Sequence, residues 1–264
     1  LADETCDGKS YSAGKNITIG TDSKINLNDK IQLTNAGSID IGTKTKISDG
    51  KLIVGKGNTA SGTNASAIGG GNNTASGDES AAIGGGYNTA SGENSVALGG
   101  IYNVTSGSYS AALAGQENEV SGIYSAAIAG YANKASGYQS ATISGAENKA
   151  RGNYSLALSG RYNTASGIYS GTLGGAGNTA SGVSSLAIGG GFAYLSMDIP
   201  EPKWVAVSGD NTANGIGSII LGGTNNVTTA AASESVVVGG KGGQAANEYA
   251  VAIGGGTANG KNSV

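Results

Sequence analysis

Histidine is absent from the 264-residue chain, and cysteine occurs once, at Cys6. Zinc sites, Cys–His nucleophiles and Ser–His–Asp triads are therefore excluded for want of parts. Charge is scarce and nearly balanced, 15 basic against 18 acidic residues, with a pI near 5.0. That removes the electrostatic footprint of a nucleic-acid binder. No run of about 18 apolar residues is present, so no membrane-spanning helix is expected. No signal peptide is visible at Leu1, so the chain is expected to be cytosolic, or already processed or cut. Leu, Ile, Val and Phe together make up only about 18% of the chain, a share at which disorder is ordinarily suspected. Disorder also needs high net charge, and here it is only −3. Glycine, by contrast, is abundant at 49 residues. A chain with thin apolar content, little charge and much glycine points to a repetitive structure, in which stacking replaces a thick core.

The repeat is explicit. Asn recurs every fifteenth residue from Asn58 through Asn73, Asn88 and Asn103 to Asn178, and Gly does the same from Gly62 to Gly182. A second Gly column runs from Gly70 to Gly190, a Leu-or-Ile column from Ile68 to Ile188, and a Ser column from Ser80 to Ser185. One unit reads Asn73-Thr-Ala-Ser-Gly77-Asp-Glu-Ser80-Ala-Ala-Ile83-Gly-Gly-Gly-Tyr87. Fifteen residues hold two short strands, near 73–76 and 80–84, and two reversals, with Gly77 and Gly85 expected to supply positive φ there. Glycine at this density opposes a helix, and its spacing is not the every-third pattern of collagen. The expected fold is all-β: a parallel β-roll, or solenoid, of 15-residue coils rising about 4.8 Å each.

Within each coil the Ile83 column is the one regular large aliphatic position, and we expect it to point inward. One such side chain per coil offsets only a fraction of the entropy lost on ordering fifteen residues. A single roll therefore looks under-stabilised, and packing against further copies as a symmetric homo-oligomer is expected.

The element Ser-x-Ala-Ile/Leu-x-Gly, as in Ser95-Val-Ala-Leu-Gly-Gly100 and Ser185-Leu-Ala-Ile-Gly-Gly190, resembles the head repeats of YadA-like trimeric autotransporter adhesins. The likeness runs over residues 51–264, and Gly256-Thr-Ala-Asn-Gly260 looks like the start of one more repeat. It implies a left-handed roll, a homotrimer, a bacterial outer-membrane surface, and attachment to host extracellular matrix proteins, receptors or glycans. The family's repeat is closer to fourteen residues, so these coils hold one more at a turn. The family's stalk and membrane anchor do not appear in the sequence, so the chain reads as a head.

Four regions follow. Residues 1–54 alternate apolar and polar residues, as in Asn16-Ile-Thr-Ile-Gly20 and Ser38-Ile-Asp-Ile-Gly42, and read as a short-stranded cap or connector. Residues 55–190 are the regular coils, 191–206 an irregular insertion, and 207–264 irregular repeats. Cys6 is open to interchain pairing, to a free thiol, or to no role.

Three features are candidates for binding. After Ile188 the next equivalent position reads as Val207, a step of 19, with 192–204 replacing the Asn-x-Ala-Ser-Gly half of a coil. That segment holds Phe192, Tyr194, Leu195, Met197, Ile199 and Trp204. It is either a protruding apolar patch or a plug packed on a neighbouring copy. Tyr109, Tyr124, Tyr154 and Tyr169 share one column, with Gln139 in the gap, and Tyr87, Tyr102 and Tyr162 share another. Such ladders would meet a glycan or an extended strand, or simply brace the roll. Lys134, Lys149, Arg151 and Arg161 form a mildly basic zone, open to acidic partners or merely solvated. The Asn column is assigned to architecture.

No catalytic, metal or cofactor group is expected, and a non-enzymatic adhesin head is the leading reading. A trimeric phage or viral fibre acting on polysaccharide is the alternative. It needs paired acids, and Asp78–Glu79 is a lone neighbouring pair. An ice binder ranks behind both, because the column Thr74, Thr89 gives way to Val104, Glu119, Lys134 and Lys149.

Overall fold

The computed structural model describes residues 50–196, 203–207 and 210–264. The chain divides into units 1–45 and 46–264, and the described residues belong to the second. Cys6, the alternating segments of the N-terminal region, and Met197 and Ile199 lie outside them.

The fold is an all-β parallel solenoid. Two 13-stranded sheets run the length of the unit, and successive strands alternate between them. In one coil Thr74–Ala75 lies in the second sheet and Ala81–Ile83 in the first. The fifteen-residue register is direct: Ala82 pairs with Ala97, and Thr74 with Thr89. Thirteen coils at about 4.8 Å make a roll of roughly 60 Å. The repeat shortens to 14 residues at the start, where Val54 pairs with Ile68, and lengthens to 17 where Leu221 pairs with Val238.

The core differs from the expectation in one decisive respect. The Ile83 column points outward. The inward positions are Ala67, Ala82, Ala97, Ala112, Ala127 and Ala157 on one wall and Ala75, Ala90, Ala135, Ala150, Ala165 and Ala180 on the other, all fully buried. Strand side chains alternate between faces, so with Ala82 inside, Ala81 and Ile83 must both lie outside. The lumen is filled at close range by methyl groups, with Thr105, Val120, Thr142 and Thr172 as the largest replacements in the regular coils. Ile220 and Val237 enter only in the longer coils.

The coils from Asn73 to Asn226 are each also tied by a buried asparagine. Asn118 Nδ2 donates to the carbonyls of Ala114 (3.2 Å) and Gly130 (3.3 Å), while its Oδ1 accepts the backbone N–H of Asn133 at 3.0 Å. Equivalent bonds link Asn73, Asn88, Asn103, Asn133, Asn148 and Asn163. The buried Ser column sits in the facing turn. Ser125 Oγ donates to the Gly122 carbonyl and Ser235 Oγ to that of Ala232, bonds within the same four-residue turn.

The glycine columns divide by cause. Gly85 has φ +65°, as expected for a reversal. Gly77 is not at positive φ. It is required because an added Cβ would stand 2.1 Å from the Gly92 carbonyl oxygen of the next coil.

The insertion also differs from its sequence reading. Ile188 pairs with Leu221, not with Val207, and Thr179 pairs with Thr212. The step is 33 residues, and the Asn-x-Ala half of the coil is retained as Asn211-Thr-Ala213. The extra chain is a hairpin in which Phe192–Ser196 runs antiparallel to Lys203–Val207.

Candidate functional site

The roll offers two flat outer faces and two turn edges, and each carries one kind of chemistry. The outer face of the first sheet is apolar. Its two columns contain Val96 and Leu98, Leu156 and Leu158, Leu186 and Ile188, Ile219 and Leu221, with no charged residue between Ser66 and Ile253. Stacking between coils half-buries many of these side chains, yet Leu98 remains 44% exposed, Leu221 42% and Ile253 62%. Nothing within the described chain covers this face. Residues expected to be core instead form a continuous apolar surface.

The outer face of the second sheet is polar. Thr59 and Ser61, Thr74 and Ser76, and Thr89 and Ser91 project from consecutive coils, as do Thr164 and Ser166, and Thr179 and Ser181. Between these ranks the same columns hold Glu119, Lys134, Lys149 and Arg151. Lys134 is ion-paired to Glu119 at 2.5 Å. Arg161 does not join them. It lies in the bridge column of Tyr131 and Ala146, beside Glu147 at 3.3 Å and with its guanidinium 5.0 Å from the Tyr162 ring. The basic zone is thus divided, and two of its four members face carboxylates.

One turn edge carries an aromatic ladder. Tyr109 and Tyr124 stack with ring centroids 4.9 Å apart and 14° between planes, and Tyr154 and Tyr169 with 4.7 Å and 11°. The gap expected at Gln139 is closed by its neighbour Tyr138, which meets Tyr124 edge-on at 5.9 Å and Tyr154 at 5.6 Å. Five rings therefore form one run. Tyr138 was missed because it sits one residue out of column; an apolar or aromatic bias in the adjoining column (Ile123, Tyr138, Ile168, Val183) was the available signal. Tyr109, Tyr124, Tyr154 and Tyr169 all have φ near +57°, a backbone region unfavourable to bulky residues. The turn geometry sets that conformation, and in-register stacking is the compensation. On the opposite edge Tyr87 and Tyr102 stack at 4.9 Å, with Tyr162 set apart at Arg161.

In the hairpin, Leu195 pairs in register with Trp204 and Tyr194 with Val205, while Phe192 pairs with Val207. The hairpin is separated in sequence from the tyrosine run by the coil containing Asn178 and Ile188.

The acids do not converge. Asp78 accepts the Thr63 backbone N–H at 2.8 Å, and this bond holds its carboxyl below the usual carboxylate value. Burial raises that of Asp210. The Tyr131 phenol is raised by its hydrogen bond to Glu117. Among the described residues no group of three or more His, Cys, Asp or Glu is placed to hold a metal ion.

Fold and surface together define a β-roll protein built of Asn-laddered coils. A family model described as the grass antifreeze beta roll matches residues 42–143. No curated protein matches the chain.

Proposed function

We propose that the roll is the head of a non-enzymatic bacterial surface adhesin, working as a homotrimer of left-handed rolls that holds its apolar sheet face against sibling copies. The observation that carries this reading is the uncharged, half-exposed outer face of the first sheet. Two side chains wide and thirteen coils long, it projects roughly 600 Å², against the few hundred Å² that a monomer leaves exposed, and near the 800 Å² per partner of a standard interface. The trimer number, the handedness and the outer-membrane setting rest on the likeness of Ser95-Val-Ala-Leu-Gly-Gly100 to adhesin head repeats. With that face covered, the Thr/Ser face, the tyrosine edge and the hairpin remain to meet host matrix proteins, receptors or glycans.

Light scattering tests the assembly. The wild-type chain is expected as a trimer at micromolar concentration, and Leu98→Lys with Leu221→Lys as a folded monomer, because two ammonium groups per chain would otherwise be buried unpaired. A wild-type monomer with an intact β-sheet spectrum overturns the proposal. Solid-phase binding to collagen, fibronectin and laminin, with and without residues 192–207, then tests adhesion and the part of the hairpin in it.

A second reading is favoured by the family match and by the regular Thr and Ser ranks: an ice-binding face on the second sheet. Thr74/Ser76 and Thr89/Ser91 repeat at the coil spacing on a flat surface, although Glu119, Lys134, Lys149 and Arg151 interrupt it. Ice growth in the presence of the protein distinguishes the two. The adhesin reading expects growth indistinguishable from that in buffer, and slowed growth that Thr74→Lys with Thr89→Lys abolishes would replace it.

A further inference from the structure

The tyrosine runs place phenols of consecutive coils face to face, exposed, and at a repeat fixed by the sheet ladder. Tyr109–Tyr124 and Tyr154–Tyr169 have centroids 4.9 and 4.7 Å apart with planes within 14°, and Tyr87–Tyr102 on the other edge has 4.9 Å and 23°. In-register stacking sets equivalent ring carbons above one another, so the carbons ortho to the two hydroxyls are neighbours. All six rings are exposed. We propose that these pairs are an oxidative modification site, at which hydrogen peroxide acting through a peroxidase joins Tyr109 to Tyr124, Tyr154 to Tyr169 and Tyr87 to Tyr102 as dityrosines.

The chemistry balances within each pair. Each phenol loses one electron and its hydroxyl proton, giving two phenoxyl radicals whose unpaired spin is shared with the ortho carbons. A carbon–carbon bond forms between two ortho carbons. The hydrogen on each then leaves as a proton while a proton returns to each oxygen, restoring both aromatic phenols. The pair has lost two hydrogen atoms in all. Peroxide accepts them, its O–O bond breaking to give two waters.

Geometry also sets selectivity. Tyr124–Tyr138 and Tyr138–Tyr154 meet at 88° and 81°. An edge pointed at a ring face does not bring two ortho carbons together, so Tyr138 relays oxidation along the run without becoming a preferred link. The effect on the fold follows from its one-dimensional contacts. Each coil touches only its neighbours, and a chain with the single cysteine Cys6 has no disulfide within itself to staple them. A dityrosine closes a fifteen-residue loop and does the same job. This proposal stands on the ring geometry and does not depend on adhesion.

The test treats the purified, assembled chain, at low concentration, with a haem peroxidase and hydrogen peroxide, and maps linked peptides by mass spectrometry after denaturation. The expected product runs at single-chain size, has lost two hydrogens per link, and contains the three stacked pairs. Tyr109→Phe is expected to lose the Tyr109–Tyr124 link and keep Tyr154–Tyr169, which reports that the variant is folded. The linked wild-type chain is expected to melt higher than a treated Tyr87→Phe/Tyr109→Phe/Tyr154→Phe variant. Absence of dityrosine in the folded protein, links formed only between chains, or a link pattern unchanged by Tyr109→Phe overturns the proposal.

Discussion

Gly107→Ala is expected to destabilise the roll by about 3 kcal/mol or more, at the upper end of what overpacking does, while Gly99→Ala is expected to change stability by about 1 kcal/mol. The two glycines lie in the same coil region but answer to different forces. A Cβ on Gly107 would stand 2.1 Å from the Gly122 carbonyl oxygen and 2.6 Å from its carbon. Those atoms are backbone, held above and below by the ladder, and cannot swing aside as a side chain would. Gly99 has φ +67°, yet an added Cβ there meets nothing within 4 Å. Only the left-handed backbone is then at stake, and the same column already tolerates Ala114, Ala129, Ser144 and Ser159. The Gly107 column, in contrast, keeps glycine from Gly62 to Gly215 and departs from it only in the irregular coils near the end, at Ala232 and Asn247. Urea denaturation of the two variants beside the parent checks the ranking. Equal losses would mean that the close approach between coils does not govern the glycine column.

The same contrast explains what was legible in the sequence. A period survives in one dimension, so the coil length, the two strands and the solenoid class could all be read from columns of Asn, Gly and Ser. Which side of a strand faces inward could not be read so directly. Ala82 and Ile83 are neighbours, and in most proteins the larger aliphatic would be the buried one. Here the walls approach so closely that alanine fills the lumen, and Ile83 is left on the outer face of the sheet. The side chain expected to face the lumen therefore lies on the outer side of its strand. The insertion misled for a different reason. Val205-Ala-Val207-Ser imitates the alternation of a coil strand, and it pairs instead with Phe192–Ser196 in a hairpin. The Asn column held the correct count: Asn211 lies 33 residues beyond Asn178 and continues the ladder, its N–H facing Asn178 Oδ1 at 3.4 Å. The aromatic edge was half visible, because column statistics see Tyr124 and Tyr154 but not a ring that reaches across from the neighbouring position at Tyr138.

Asn118→Leu is expected to cost about 2–6 kcal/mol, although it exchanges a polar side chain for an apolar one of similar size in a fully buried place. Two backbone groups depend wholly on that amide. The carbonyl of Ala114 loses its donor and the N–H of Asn133 loses its acceptor, whereas the Gly130 carbonyl keeps the Gln116 N–H at 2.9 Å, and an unpartnered buried polar group costs about 1–3 kcal/mol. The mid-roll position makes the loss hard to evade, since fraying from either end must pass several intact coils. Asn118→Asp separates donor from acceptor. A carboxylate there still accepts from Asn133 but turns its second oxygen toward two carbonyls, a repulsive arrangement that protonation relieves by restoring one donor. The buried acid is then held above its ordinary value of about 3.9. The folded state binds the proton more tightly than the unfolded one, so the variant is closest to the parent below that ordinary value and falls behind as pH rises through the raised one. Thermal melts of Asn118→Asp and the parent, paired at each pH from acid to neutral, check the sign. A gap that is constant with pH, or that narrows toward neutrality, would show that the amide N–H groups are not what binds one coil to the next.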